Sequence, residues 1–477
     1  MKKLFWAKTG MVLVLTMVQV SPVWADSTGD MMSMLESMKK QMSQMQQTID
    51  AQNLRLQQLE SKKVLETPQT SASLEPVAAS PKPKESIGDL IPWLKGAKFG
   101  GDFRLRGESF DYFNKNSDAG ATDRSRNRFR IRLRWGFEKD YADDWKLGFR
   151  IATGSTTDQT ATNQTLGNSG YFNFKTIVLD RAYASYEPSW LKDRGALKTF
   201  KMGAGKFENP FLKYSSPIVW DSDVTPEGLY EQANFDLAHL EKTQIQLQTT
   251  AGQFLVNENA GVDTDAEIFG YQGVLSLATT SFGAQPVNAW GAVSYYDYTN
   301  WFQTVTSNSS GTSYLRTNTI VADDFRVLDL MPQVEFTWAK TPVNVWYDYA
   351  SNLANVGTDD VAQSLGNDIH DADSAWGVGF KIGKAKKKGE FEWFYGYYEI
   401  GANAVVAAFN DSDFGGPGGT GFTNRKGHKL GLGYRLTDNV VVNWTGILVR
   451  PLNPSTVVAS SANEDVFRSQ ADINYSF

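Results

Sequence analysis

The sequence predicts an all-β chain: a transmembrane antiparallel β-barrel of about sixteen strands over residues 97–477, preceded by an N-terminal coiled-coil helix. Three observations carry that prediction. The stretch "RNRFRIRLRWGFE", Arg126 to Glu138, sets polar residues, mostly arginine, against Phe129, Ile131, Leu133, Trp135 and Phe137 at every second position. Wound as a helix, its arginines would be smeared around every face; drawn as a strand, they share one side and the apolar residues the other. This alternation recurs to the end of the chain. The connections between alternating segments are by turns short and long, as in a barrel with tight turns on one rim and long loops on the other.

Composition narrows the class. The net charge of −6 over 477 residues gives no bulk attraction for nucleic acid, and no nucleic-acid partner is expected. A mean hydropathy of −0.38 with 13% aromatic residues fits apolar side chains dispersed through strands and not a bundle of membrane helices. There is no cysteine, which excludes a disulfide scaffold or thiolate metal site and suits an exported chain.

Residues 1–25 read as a signal peptide. Lys2 and Lys3 precede the apolar run Met11 to Val20, and Val23 and Ala25 frame a cleavage site after Ala25. The run falls short of the ~18–20 residues of a permanent anchor. Residues 30–66 read as a coiled-coil stalk, with Met31, Leu35, Met38, Met42, Met45, Ile49, Leu56 and Leu59 in heptad spacing and Gln52 at one seam position. Seam spacing accounts for Met38, Met42 and Met45 without a soft metal. Residues 67–96, with Pro68, Pro76, Pro81 and Pro83 among Ser and Ala, form an extended linker.

The sixteen strands follow in order: Phe99–Asp111, Arg126–Glu138, Trp145–Thr153, Phe174–Glu187, Lys198–Phe207, Gly228–Ala238, Thr243–Leu255 and Glu267–Thr279, then Val287–Tyr298, Leu328–Ala339, Pro342–Ala350, Ser374–Gly383, Glu390–Ile400, Gly427–Leu436, Asn439–Val449 and Asp465–Phe477. Short gaps such as Lys340–Thr341 and Thr437–Asp438 alternate with long ones such as Gly154–Asn173, Thr299–Val327, Ser351–Asp373 and Gly401–Lys426.

Arg126 to Arg134 spans ~27 Å at ~3.3 Å per residue, close to the height of a bilayer core. A lipid-facing arginine costs ~2–4 kcal/mol near the midplane, so Arg128, Arg130, Arg132 and Arg134 are assigned to the lumen. Arg104 and Arg106 extend this basic sector on one side, Lys146 and Arg150 on the other. Two roles are open. The arginines line an aqueous path and draw anions in, or they pair with lumen carboxylates such as Glu108, Glu138, Glu335 or Glu392 and brace the wall. The connection "ENPFLKYSSPIVWDSDVTPE" carries Glu208, Lys213, Asp221, Asp223 and Glu227. Folded inward, it sets carboxylates opposite the arginines and narrows the lumen; as a surface loop it does neither. A second acidic loop, with Asp359, Asp360, Asp368, Asp371 and Asp373, is either solvated charge or a divalent-cation contact with lipopolysaccharide.

His239, His370 and His428 are scattered, and the sequence has no nucleophile motif, phosphate-cradling Gly-rich loop or His-x-x-x-His pair. No enzymatic activity, cofactor or metal centre is expected.

"GDFRLRGE" at Gly101, "RNRFRIRLRWGFE" at Arg126, "LDRAYASYEP" at Leu179, "GKFENPF" at Gly205 and "WDSDVTPEGL" at Trp220 resemble the putative porin family of Gram-negative outer membranes, similar in character to the phosphate-selective porins O and P. The likeness is clearest from Ala97 to Leu237, and the strand plan is compatible to Phe477. The resemblance implies an outer-membrane diffusion channel for small hydrophilic solutes or ions, usually a homotrimer, with an inward third loop and with lipids and lipopolysaccharide around it. Phe477, after Ile473 and Tyr475, resembles the signal read by the barrel-assembly machinery. The stalk would then project into the periplasm, where peptidoglycan is its candidate partner. The alternative reading is a structural barrel that tethers the outer membrane to the cell wall.

Overall fold

The computed structural model describes residues 95–113, 124–141, 144–156, 158–168, 170–258, 265–283, 285–301, 318, 324–354, 372–415, 423–454 and 464–477. The signal peptide, the coiled coil with its methionine seam, nearly all of the linker, His370 and the loop acids Asp359, Asp360, Asp368 and Asp371 lie outside the described residues.

Strong alternation makes every predicted strand form. The strands are β1 (Lys98–Phe113), β2 (Arg124–Tyr141), β3 (Trp145–Thr153), β4 (Gln164–Thr165), β5 (Ile177–Tyr186), β6 (Leu197–Lys206), β7 (Glu227–Leu240), β8 (Thr243–Asn257) and β9 (Ala266–Thr279). They continue as β10 (Val287–Thr299), β11 (Phe325–Trp338), β12 (Thr341–Asn352), β13 (Ser374–Gly383), β14 (Phe391–Ile400), β15 (Arg425–Arg435), β16 (Val440–Pro451) and β17 (Asp465–Ser476). The two-residue β4 belongs to the connection after β3, where it pairs with β2; the other sixteen make the wall. Ends shift by a few residues from the predicted bounds: Phe174–Glu187 narrows to β5, and Leu328–Ala339 moves to β11.

The pairings are antiparallel throughout, and β1 pairs with both β2 and β17, so the sheet closes. The seam runs on past β17: Gly101 N donates to Phe477 O at 3.0 Å, and Phe477 N to Gly101 O at 3.1 Å. A Cβ on Gly101 would lie 2.9 Å from the Phe477 ring and 2.2 Å from Arg134 O, so the clasp requires glycine there.

Side chains sort by parity. Phe103, Leu105, Phe129, Leu133 and Trp135 stand exposed on the outside, while Arg106 and Glu108 are buried within. The apolar core lies in the lumen itself. There Phe211, Ile218 and Trp220 from the β6–β7 connection meet Val405, Val406 and Phe409 from the β14–β15 connection, against Phe254, Ile268, Tyr296, Phe325 and Tyr398 of the wall.

Candidate functional site

The register of β1 against β2 sets Arg104 opposite Arg132, Arg106 opposite Arg130, Glu108 opposite Arg128 and Asp102 opposite Arg134. Like charges facing across a ladder repel, and carboxylates interleave to relieve them. Asp102 accepts from Arg132 and Arg134, each at 2.7 Å. Glu108, its side chain wholly buried, pairs with Arg128 and Arg468, accepts from Gln470 at 2.9 Å, and lies 4.0 Å from Arg130. Arg106 forks onto Asp472 at 2.7 and 2.8 Å.

Bracing by Glu108 is therefore present, and Glu138 braces Lys146 of the same basic sector, whereas Glu335 and Glu392 serve cations outside it. Glu138 takes Lys146 at 3.6 Å and the Tyr183 hydroxyl at 2.9 Å; Glu335 takes Lys384 at 2.6 Å; Glu392 takes Lys381 at 2.9 Å. Glu335 and Glu392 sit on β11 and β14, far around the wall from the ladder, and Glu138 lies near the tight turn. Arg150 pairs with Asp180. Asp102, Asp472 and Arg468 were not anticipated. The last two reach the ladder only because β17 closes on β1, a neighbourhood that no local spacing reveals.

The Glu208–Glu227 connection lies inside the barrel. Phe211, Ile218, Val219 and Trp220 are each at most 2% exposed, and burying that much apolar surface outweighs leaving the loop in water. Asp223 alone of the five candidate residues there meets the ladder, 3.4 Å from Arg134, and it also accepts from the Thr162 hydroxyl at 3.1 Å. Glu208 pairs with Arg181 at 3.0 Å, Glu227 with Lys206 at 3.0 Å, and Lys213 lies over the Tyr214 ring at 4.6 Å. Phe211 sits on the wall where Gly270 leaves room: a Cβ there would stand 2.7 Å from its ring. Gly270→Val is expected to lift Phe211 and displace the connection, altering single-channel conductance in planar bilayers without unfolding the barrel.

A second segment enters the lumen, and sequence reasoning missed it. Residues Ala402 to Ala408 are at most 2% exposed. Asn318 clamps them, donating to Ala402 O at 2.9 Å and Val405 O at 2.7 Å and accepting from Ala407 N at 3.0 Å. The signal was legible: "ANAVVAAF" is an apolar run without alternation inside an otherwise Gly- and Asp-rich gap. The two segments join where Asp221 N donates to Phe409 O at 2.6 Å and Asp411 N to Pro217 O at 3.0 Å. Beyond that joint Asp413 reaches Arg468 at 2.8 Å and Arg106 at 3.3 Å, and Asp411 reaches Lys429 at 2.7 Å. Burial opposes the Asp413 charge, but Arg468 and Arg106 hold its carboxyl well below the usual range.

Asp221 behaves oppositely. Burial first, then the charges of Asp411 and Asp223, push its carboxyl up from 3.8 to about 8. A carboxyl raised on docking favours the docked state fully below its free value, and that advantage is lost as pH rises through about 8. Open-channel current noise is expected to grow above that pH in the wild type and to stay flat in Asp221→Asn.

A cavity of about 720 Å³ runs from mid-barrel towards the rim of tight turns. Arg104, Arg132, Lys146, Lys201, Lys213 and Lys429 line it together with Glu138, Glu208, Asp221, Asp223, Asp411 and Asp413. Each of these carboxylates except Asp221 has a basic partner. Among the described residues Arg104, Lys201 and Lys213 have no carboxylate partner; Arg104 donates to Asn163 Oδ1 at 2.6 Å, and Lys201 lies 5.6 Å over the Tyr230 ring. Among the described residues no group of three or more His, Asp or Glu side chains is arranged to hold a metal ion.

No curated protein matches the chain. Solved structures to which the chain is similar include Pseudomonas putida OprB at high pH, with TM-score 0.45 and 13% identity over 82% of this chain and 97% of that one. Salmonella typhi OmpF in complex with daunomycin gives 0.43 and 12% over 80% and 98%; a mutant Rh. blastica porin gives 0.36 and 10% over 80% and 100%. The family described as "Putative porin" matches residues 119–320 and 306–477, which is most of the chain. With that match laid over a closed wall of sixteen strands, apolar outside and charged within, the chain belongs to the putative porin family of outer-membrane β-barrel channels.

Proposed function

We propose that the barrel is a water-filled diffusion channel for small hydrophilic solutes and that it prefers anions. The observation that carries this is the charge left over in the cavity beside the inward segments. Its carboxylates other than Asp221 are engaged by cations, burial pushes the Asp221 carboxyl up and so weakens its negative charge, and among the described residues Arg104, Lys201 and Lys213 form no ion pair with a carboxylate. Fixed charge lining a path raises the local concentration of counter-ions and sets permeant sign. The basic sector Arg128, Arg130, Arg132, Arg134 and Arg106 contributes less than its number suggests, because Glu108, Asp102, Asp472 and Asp413 offset it. Outward apolar residues such as Phe129 and Trp135 support contact with lipid, and lipopolysaccharide, trimer assembly and Phe477 recognition by the barrel-assembly machinery belong to the same proposal.

Zero-current potential in a KCl gradient tests it. Wild type is expected to give an anion-directed potential, and Lys201→Glu with Lys213→Glu to shift it towards cations, since among the described residues neither lysine is tied into an ion pair. Reversing Arg130 and Arg132 should shift it the same way. A cation-directed wild-type potential, or one indifferent to both pairs, overturns the anion preference.

A further inference from the structure

Across the lumen from the arginines, the inward faces of β9 to β12 carry a patch of buried oxygen atoms. Register sets Gln272 beside Ser294, and Ser294 beside Asp329. Asp348 projects from β12 against Asp329, and the two carboxyl groups lie within reach of each other. Asp329 is 1% exposed and Asp348 0%. Both oxygens of Asp348, Oδ1 of Asp329, Oε1 of Gln272 and the Tyr296 hydroxyl are buried without a well-formed hydrogen bond, although Ser216 and the Tyr349 amide approach Asp348 and Ser294 and Trp220 approach the Tyr296 hydroxyl. The Ser215 hydroxyl of the inward connection makes one long bond to Asp329, at 3.5 Å, and Ser216 stands next to Asp348 while accepting from Ile218 N at 3.0 Å. Among the described residues no ion pair includes either aspartate; Lys429, which lines the neighbouring cavity with Ser215 and Ser216, is held by Asp411 at 2.7 Å.

Two adjacent carboxylates in a dry pocket repel and each is costly to desolvate, so the pair needs positive charge. The atoms left over are the reason to look beyond a proton. A single shared proton satisfies the two acids at one point and leaves Gln272 Oε1, on a side chain more than nine-tenths buried, still without a partner. Unpartnered oxygens around two carboxylates are what a hard divalent cation binds, Ca²⁺ gathering about 6–8 oxygen ligands from carboxylates, amide carbonyls and hydroxyls. The acids are nineteen positions apart on neighbouring strands, which is why no sequence motif announces them.

We propose that Asp329 and Asp348 bind a divalent cation of the Ca²⁺ class, and that Ser215 and Ser216 close over it so that the ion ties the inward connection to the wall. The site is independent of the anion preference, which arises from basic residues elsewhere in the lumen. The full chain, refolded in detergent without lipopolysaccharide and stripped with EDTA, is titrated with CaCl₂ by calorimetry and recorded in planar bilayers. Stoichiometric binding is expected, with open-channel noise falling as Ca²⁺ is added. Asp329→Asn with Asp348→Asn, whose amides can bond to each other, should still migrate as a folded barrel when unboiled. It should lose Ca²⁺ affinity by about tenfold or more and lose the effect on noise. Absence of binding by the wild type, or binding kept by the double variant, overturns the proposal. So does noise that, in an Asp221→Asn background, follows pH and ignores Ca²⁺, which would assign a shared proton to the pair. Reversal potentials from the same recordings report on selectivity separately.

Discussion

Replacing residues 402–410 by a short Gly-Ser link is expected to raise single-channel conductance several-fold while leaving the sixteen-stranded wall assembled. The segment is buried because it fills the lumen, with Ala402, Ala404, Val405, Ala407 and Ala408 at 0% exposure. Its removal frees Asn318 and uncovers Trp220, which packs against Phe409 in a tilted pair with ring centroids 5.6 Å apart. Asp411 and Asp413 must stay, because Lys429, Arg106 and Arg468 depend on them for charge. With those anchors kept, cross-section rises at little cost to the wall. Conductance unchanged in planar bilayers would show that ions do not pass beside this segment.

Glu108→Gln is expected to have the largest effect on stability. The carboxylate has no exposed side-chain surface and holds Arg128 and Arg468, with Arg130 at 4.0 Å. An amide keeps the shape but, among the described residues, leaves Arg128 without a carboxylate partner and Arg468 with Asp413 alone. Breaking a buried pair from one side costs ~3–5 kcal/mol, so the unfolding midpoint in urea should drop and the unboiled band on gels should disappear at lower temperature. Adding Arg128→Met should recover part of the loss, since among the described residues Arg128 pairs with no other carboxylate and is the charge left stranded; strictly additive losses would mean the two residues are not coupled.

Much of the wall was legible because its signal is local. A strand with Arg128, Arg130, Arg132 and Arg134 on one side and Phe129, Leu133 and Trp135 on the other needs no partner to declare itself, and the lumen assignment follows from the cost of charge in lipid. Partners were not legible. Asp102 meets Arg134 through the β1–β2 register, and Asp472 meets Arg106 only through closure. Charge type misled as well: Asp221 looks like a constriction acid in sequence, yet it turns into the protein, against Ser412 N at 2.9 Å, and leaves Asp223 to face the ladder. The apolar run at Ala402 to Phe409 carried information that alternation-based reading passes over.

The pairing of β1 with β17 has a consequence for biogenesis. The Arg106–Asp472 bond joins residues 366 positions apart, so the ring cannot shut until every intervening hairpin has been laid down. Until then the nascent wall presents two raw borders whose amides and carbonyls invite any passing chain. Order of assembly, more than strength of any one contact, then decides whether such a polypeptide matures or aggregates.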